Sequence, residues 1–156
     1  MTPHMRRMSD PFVRPQEPTS AEAIAAIADE LALFDDWMDR YQYIIELGRK
    51  LPPFPCAWTD DVHRVPGCQS KVWMEGLHQG DKLYLAGISD AAIVSGLIAL
   101  LLRVYSGRPV HEIGATDPDF LRELGLLEAL STNRGNGIAA MARKIRELAR
   151  GIAQKP

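Results

Sequence analysis

The feature of this chain that could carry chemistry is a single cysteine placed directly after a turn signal. The segment Arg64 to Met74 reads RVPGCQSKVWM, in which Pro66 and Gly67 favour a backbone bend just before Cys68. Bends lie at the edges of sheets rather than within them, and functional side chains are frequent on such loops. The spacing therefore predicts a thiol carried on a loop between two stretches that have the composition of strands.

The residues that follow Cys68 bear on its reactivity. Gln69 and Ser70 are poor core residues and good local hydrogen-bond partners, and Lys71 brings a positive charge within reach of the sulfur. A nearby cation favours the thiolate, which is the nucleophilic form of cysteine. The pattern thus predicts a reactive thiol, while a small, buried and inert cysteine is the alternative that these residues alone leave open.

Other chemistries have weaker support in the sequence. Cys56, His63 and Cys68 form a C-x6-H-x4-C spacing that matches no structural zinc pattern, and His78 is the nearest candidate for a fourth ligand. We expect both histidines on exposed turns, and Cys56 to be packed or incidental. No local signature of a cysteine hydrolase and no glycine-rich phosphate loop is present, so neither a metal nor a bound cofactor is predicted.

Length, composition and charge narrow the class of protein. The 156 residues are 46% apolar and 24% charged, values typical of one globular domain. A net charge of −2 gives no reason to expect binding to nucleic acid or to an anionic membrane. The longest apolar run, Gly96 to Leu102, is much shorter than the ~20 residues of a membrane span. With two cysteines and no secretory signal pattern, a reducing cytoplasm is the expected location.

The N-terminal part of the chain predicts a tail followed by two helices. Residues 1–18 hold four prolines and no periodic pattern, so they are expected to be a disordered tail before a single domain over residues 19–153. Thr19 to Glu22 has the spacing of a capping box, which predicts a helix start. A second helix is predicted from Asp36 to Lys50, ending at the prolines of LPPFP.

The remainder predicts a small antiparallel sheet of about three strands and three more helices. The runs HRVPG, SKVWMEGL and KLYLAGI read as strands, and HQGD between the last two is typical of a hairpin turn. Helices are predicted from Ala91 to Tyr105, from Pro118, and from Asn136 to Ala153 after a break at STNRGNG (131–137). This order predicts an α+β sandwich with the sheet covered on one face by helices.

Four collinear segments resemble the SufE family of sulfur acceptors. RVPGCQSKVWM is similar to the family's G-C-Q-S-x-V-W core, and YQYIIELGRKLP (41–52) resembles the helix before it. SDAAIVSGLIALLL (89–102) resembles the family's central helix, and LGLLEALSTNRGNGIAAMARKIREL (124–148) resembles its C-terminal pair. The likeness runs from about Ile24 to Ala149 in order and without large gaps, and it leaves out the proline-rich tail and the segment with Cys56.

The resemblance implies a fold, a function and a set of site residues. SufE-like proteins share an α+β sandwich with IscU-type scaffolds. They take persulfide sulfur from a pyridoxal-phosphate cysteine desulfurase, usually SufS, stimulate that enzyme, and deliver sulfur to an iron–sulfur scaffold of the SufBCD type. The family's persulfide cysteine falls on Cys68, and an arginine thought to assist transfer falls on Arg134. The cofactor belongs to the partner. The neighbouring loop positions are Gly67, Gln69, Ser70 and Lys71.

An alternative on the same fold is an IscU-like scaffold or a metal-binding module. Such a scaffold normally needs about three cysteines in its site, whereas this chain has two in all. The sequence does not decide between a SufS-type and a CsdA-type desulfurase as partner, and it leaves the role of Cys56 open.

Overall fold

The computed structural model describes residues 10–68, 70–126 and 132–153, and within the last range the described side chains are those of residues 137–151. Gln69 and the side chain of Arg134 therefore lie outside the described residues. No helix in these ranges has the length and apolar character needed to span a bilayer.

The first two helices begin where the sequence provides capping side chains. Helix α1 covers Ser20–Leu31, and the side chain of Thr19 accepts the backbone N–H of Glu22 at 3.1 Å, as the capping-box spacing predicts. Helix α2 covers Trp37–Arg49, with Asp36 as its cap, and it ends just before the prolines of LPPFP.

The sheet has three antiparallel strands in the order β1-β2-β3, so the predicted α+β class is confirmed. Strands β1 (Val72–Gln79) and β2 (Lys82–Ser89) form a hairpin whose turn holds Gly80 at φ 62. The third strand is β3, Arg108–Pro109, and not the predicted HRVPG run. That run forms only an isolated bridge between Arg64 and Trp73, because the Pro-Gly bend ends its pairing with β1.

Helix α3, Ala92–Tyr105, is the central helix of the fold. Eleven of its 14 residues are buried, which a helix can achieve only when neighbours surround it. It contacts β2 on one side and α1 and α2 on another. The predicted Ser89-Asp90 cap is one residue early, since Ala91 is the boundary residue and the Ser89 hydroxyl accepts its N–H at 3.1 Å.

The C-terminal part differs from its predicted boundaries. A short helix α4 covers Val110–Ala115, and α5 covers only Phe120–Glu123 rather than starting at Pro118. Helix α6 covers Thr132–Ala153, so the predicted break over 131–137 is helical from Thr132 onward. Its glycines and asparagines are weak helix formers, but tertiary packing overrides such preferences.

The N-terminal segment also differs from the expected tail, because residues 10–18 pack on the domain. Val13 donates its N–H to Leu85 O at 2.9 Å, and its carbonyl accepts from the Ser106 hydroxyl at 2.7 Å. The guanidinium of Arg103 pairs with Glu17 at 2.7 Å. These contacts explain why a segment without periodic pattern is held, since its partners lie on distant β2 and α3. Residues 1–9 lie outside the described part of the chain.

Candidate functional site

The loop that carries Cys68 is anchored at both ends to the first strand of the sheet. Val65 donates its N–H to Val72 O at 2.8 Å, and both residues are buried. On the far side of the loop, Lys71 donates its N–H to a carboxylate oxygen of Asp90 at 3.0 Å. The chain thus leaves the sheet after Val65 and rejoins it at Val72, which makes the loop a short excursion from a fixed base.

Gly67 has the backbone conformation that the bend requires. Its φ is +90, in the left-handed region that residues other than glycine rarely adopt. The Pro-Gly pair therefore sets the direction in which the loop leaves the sheet. A Cβ at this position would lie 3.3 Å from Ala140 Cβ on α6. The loop therefore passes close against α6, and a groove of about 200 Å³ remains between them, lined by Pro66, Gly67, Ala140, Arg143, Lys144 and Glu147.

Cys68 is half-buried against α6. Its thiol makes a weak hydrogen bond to Gly137 O, with 3.6 Å between Sγ and oxygen, and it packs at the margin of the hydrophobic core. Gly137 has no side chain that could crowd Sγ, and even a Cβ at this position would meet the sulfur at ordinary van der Waals distance. Helix α6 thus provides the described surface beneath the thiol.

Burial and positive charge have opposite effects on the Cys68 thiol. Burial raises its pKa above the ordinary value, and the guanidinium groups of Arg64 and Arg143 act to lower it. We expected Lys71 to provide that charge, and the family resemblance gave Arg134 an assisting role in transfer. Lys71 is exposed and is not one of the two cations that act on the thiol, and the side chain of Arg134 lies outside the described residues. In this conformation burial dominates, so the thiol is protected rather than activated.

Replacing Gly137 by leucine is expected to expose the thiol. A Cβ at Gly137 would lie 3.8 Å from Sγ, so alanine fits, whereas the larger side chain of leucine is expected to crowd the sulfur. Displacing Cys68 into solvent removes the burial that raises its pKa, and its alkylation by iodoacetamide at neutral pH should become severalfold faster. Gly137→Ala is the matched control and should react at the wild-type rate. Equal rates for both variants would contradict this placement of the thiol.

His63 lies just before the cysteine loop and links this segment to Glu75 on β1. It is half-buried, so the expectation of an exposed turn residue is wrong. Its Nδ1 lies 2.7 Å from a carboxylate oxygen of Asp60, and its Nε2 lies 2.8 Å from one of Glu75. The ring stacks on Trp58 at a centroid distance of 5.6 Å. The hydrogen bond to Asp60 has the largest effect and raises the pKa of His63. Burial, which comes next, lowers the pKa, and the hydrogen bond to Glu75 raises it, so the net shift is upward. His63 immediately precedes Arg64, so this contact holds one of the two cations that act on Cys68.

His63→Gln is expected to destabilise the fold in a pH-dependent way. Because the pKa of His63 is raised in the folded state, its stabilising contribution is fully present below the unfolded value of about 6.5 and is lost as pH rises through the folded value. The melting temperature of the variant should therefore fall further below wild type at about pH 6 than at about pH 9. His111→Gln, at an exposed position of α4, should show no such difference. A deficit independent of pH would contradict the ion-pair assignment.

The two cysteines are separate, and neither forms a disulfide. Cys56 is exposed on a single 3-10 turn, Cys56–Trp58, whereas Cys68 is half-buried on its loop. Among the described residues, no three or more His, Cys, Asp or Glu side chains are grouped in a way that could hold a metal ion. His63, which the spacing placed in a possible ligand set, is instead occupied by two carboxylates.

Sequence reasoning found the loop and its cysteine but missed three residues around them. Arg143 and Gly137 reach the thiol from a helix roughly seventy positions later, and no local pattern connects them with Cys68. Arg64 lies inside the quoted segment, but only its bridge to Trp73 orients it, and that pairing is not visible in the composition.

Comparison with known proteins assigns this chain to a family. The model of the SufE family, described as an Fe-S metabolism associated domain, matches residues 25–149. An uncharacterized SufE-like protein of Rhizobium etli is 42% identical over 80% of this chain and 87% of its own length. The cysteine desulfuration protein SufE of Wigglesworthia glossinidia brevipalpis is 32% identical over 78% and 85%. The sulfur acceptor protein CsdE of Escherichia coli is 32% identical over 76% and 82%.

The fold has a solved counterpart. The solution structure of a hypothetical protein from Thermus thermophilus matches 85% of this chain and 97% of its own with a TM-score of 0.71. At 21% identity this likeness supports the fold alone.

Proposed function

The chain belongs to the SufE family, and from this premise we propose that it accepts persulfide sulfur from a cysteine desulfurase on Cys68, stimulates that enzyme and delivers the sulfur to iron–sulfur cluster assembly. Relatives that cover most of the chain carry the names sulfur acceptor protein and cysteine desulfuration protein. The finer parts of the proposal are a SufS-like or CsdA-like donor, a SufBCD-like recipient and a cytoplasmic location.

One observation carries the proposal, namely the placement of Cys68. Its thiol lies on a short loop with fixed ends, half-buried against α6 and facing two cations. A carrier thiol has two needs, since its persulfide must be shielded from reductants and its thiolate must reach another protein's active site. Contact with Gly137 supports the first need, and a short loop anchored at its base by Val65, Lys71 and Val72, with Cys68 between these anchors, supports the second.

The transfer step is a thiol–disulfide type exchange. The thiolate of Cys68 attacks the outer sulfur of the donor's cysteine persulfide and forms a new S–S bond. The donor's own S–S bond breaks, and the electron pair leaves with the donor cysteine as a thiolate. One S–S bond replaces another, so no external oxidant or reductant is needed and the donor cysteine is regenerated.

The cations near the loop favour the thiolate of Cys68 once Cys68 leaves its resting site. Moving into solvent or into the donor removes part of the burial that raises its pKa, while Arg64 and Arg143 are carried on the base of the loop and on α6. The thiolate is therefore favoured during transfer and disfavoured at rest. We further propose that Arg134 assists the transfer and that Gly67, Gln69, Ser70 and Lys71 support the loop.

The test is to load the protein with sulfur and to find the atom that receives it. We expect wild-type protein incubated with a cysteine desulfurase and free cysteine to gain the mass of one sulfur atom, which peptide mapping places on Cys68. Cys56→Ser should gain the same mass, because the exposed Cys56 has no role in the proposal. Sulfur found on Cys56, or on neither cysteine, would overturn the assignment.

A further inference from the structure

We propose that a cationic face of α6, formed by Arg143, Arg146 and Arg150 and called here the arginine row, docks an acidic surface of the sulfur donor beside its persulfide. This inference rests on the proposed function and names the surface that brings the donor to Cys68. It is carried by the placement, charge and surroundings of these residues.

The arginine row follows from helical spacing. Positions i, i+3 and i+7 of an α-helix lie on one side, so the three arginines are neighbours on α6 and lie away from the buried Ile138, Met141 and Ile145. Arg143 and Arg150 are exposed and Arg146 is half-buried. At 1.5 Å per residue the row extends roughly 10 Å along the helix. Its first member, Arg143, is also one of the two cations that act on Cys68. The row thus begins at the thiol and runs away from it.

The charge of this face is not neutralised within the described part of the chain. None of the three arginines forms an ion pair with a described carboxylate, although other arginines of the protein do. Lys144 adds a fourth cation, and Glu147 is the one acidic side chain in the segment 143–150 of α6. That segment therefore carries a net charge of +3, four cations less one carboxylate. Like charges three and four residues apart destabilise a helix, which an acidic partner would relieve.

Two grooves flank the arginine row, and carboxylates of a partner can bind in them. The groove beside the cysteine loop includes Arg143, and a second cavity of about 290 Å³ lies between α6 and α4, lined by Val110, Gly114, Arg146, Ala149 and Arg150. A Cβ at Gly114 would meet nothing within 4 Å, so this second cavity is open. Two carboxylates lie near this face: Glu147 lines the first groove, and Asp117 acts together with Arg146 on the Tyr105 hydroxyl. Beside the three arginines and Lys144 they still leave an excess of positive charge.

Because the protein has a negative net charge, the arginine row can orient an acidic partner as it approaches. With a net charge of −2, the chain as a whole repels an acidic partner at long range, whereas the face that holds the arginine row attracts it. Complementary charge at the rim of an interface mainly raises the association rate and suppresses wrong orientations. Docking through this face would therefore present Cys68 to the donor rather than the opposite side of the molecule.

The test compares two double charge reversals that change net charge equally. Arg146→Glu with Arg150→Glu alters the row while leaving Arg143 in place, and Arg49→Glu with Lys50→Glu alters an exposed end of α2. The probe is a cysteine desulfurase that loads the wild-type protein, with affinity measured by calorimetry at low and high salt and with folding checked by thermal melting. We expect the row variant to bind about tenfold more weakly at low salt and the control to stay within about twofold of wild type.

Binding at high salt and sulfur loading at saturating donor concentration distinguish the possible outcomes. The difference between the row variant and wild type should shrink at about 1 M salt, where the Debye length is about 3 Å. At saturating donor the folded row variant should still gain sulfur on Cys68, because its thiol and Arg143 are intact. Wild-type affinity in the row variant, or an equal loss in the control, overturns the docking proposal while the carrier function stands. Failure of the wild type itself to bind or gain sulfur would instead overturn the proposed function.

Discussion

Cys68→Ser is expected to abolish both sulfur acceptance and stimulation of the desulfurase, leaving sulfide release at the level of the donor enzyme alone. A serine hydroxyl is not ionised near neutral pH and cannot hold sulfane sulfur in an S–S bond. The substitution should leave the fold intact, because a hydroxyl can also donate to Gly137 O and the site is only half-buried. We expect a change in stability within about 1 kcal/mol.

The measurement is sulfide release by the donor under reducing conditions, with and without each variant. Cys56→Ser should stimulate like wild type, and a melting curve should verify that Cys68→Ser is folded. The comparison isolates the sulfur atom of Cys68 from its surroundings. Full stimulation by a folded Cys68→Ser would mean that the chain activates its partner by contact alone, without carrying sulfur.

The loop and its thiol were predictable because their determinants are local. A bend at Pro66-Gly67 needs only those two residues, and Gly67 adopts the positive φ that glycine alone tolerates well. The start of α1 at Thr19 and the end of α2 before LPPFP are local in the same sense. Each of these boundaries is set by capping or by proline geometry, so the sequence pattern contains the whole cause.

The features that were missed depend on contacts between distant parts of the chain. Strand β3 is two residues long and pairs with Lys82 and Leu83, so it has no alternation that a pattern could show. Arg108, at the start of β3, is buried and donates to Val104 O at 3.1 Å, which ties it to the end of α3. The packed segment 10–18 and the cation pair Arg64 and Arg143 are of the same kind. Their placement follows only once the sheet and α6 are assembled.

The fold and the site are coupled through α3 and the sheet. Asp90, which receives the backbone N–H of Lys71 at the end of the cysteine loop, lies between β2 and α3. Asp90 also donates its own N–H to Lys71 O at 3.2 Å, so this anchor is held by the sheet as well as by its position just before α3. The packing of α3 against β2 therefore bears on the geometry at Cys68 as well as on stability.

Gly96→Ala is expected to produce the largest loss of stability of any alanine substitution at a glycine in the described part of this chain. Helices α2 and α3 cross at backbone contact, where Gly48 meets Gly96. A Cβ at Gly96 would lie 2.2 Å from Ile44 O, and one at Gly48 would lie 2.5 Å from Gly96 N. Both neighbours are main-chain atoms, which no rotamer change can move, so the helices must separate and unpack the centre of the core.

We expect Gly96→Ala to lower the free energy of unfolding by ~3 kcal/mol or more, out of the about 5–15 kcal/mol of a typical domain. The melting temperature should fall by roughly 10 °C, or the protein should fail to accumulate folded. Gly151→Ala is the matched control, because it also lies in a helix but its Cβ meets nothing within 4 Å. That variant should be neutral or more stable by up to about 1 kcal/mol, since alanine is the better helix former. A melting temperature of Gly96→Ala close to that of wild type would contradict the close approach of α2 and α3.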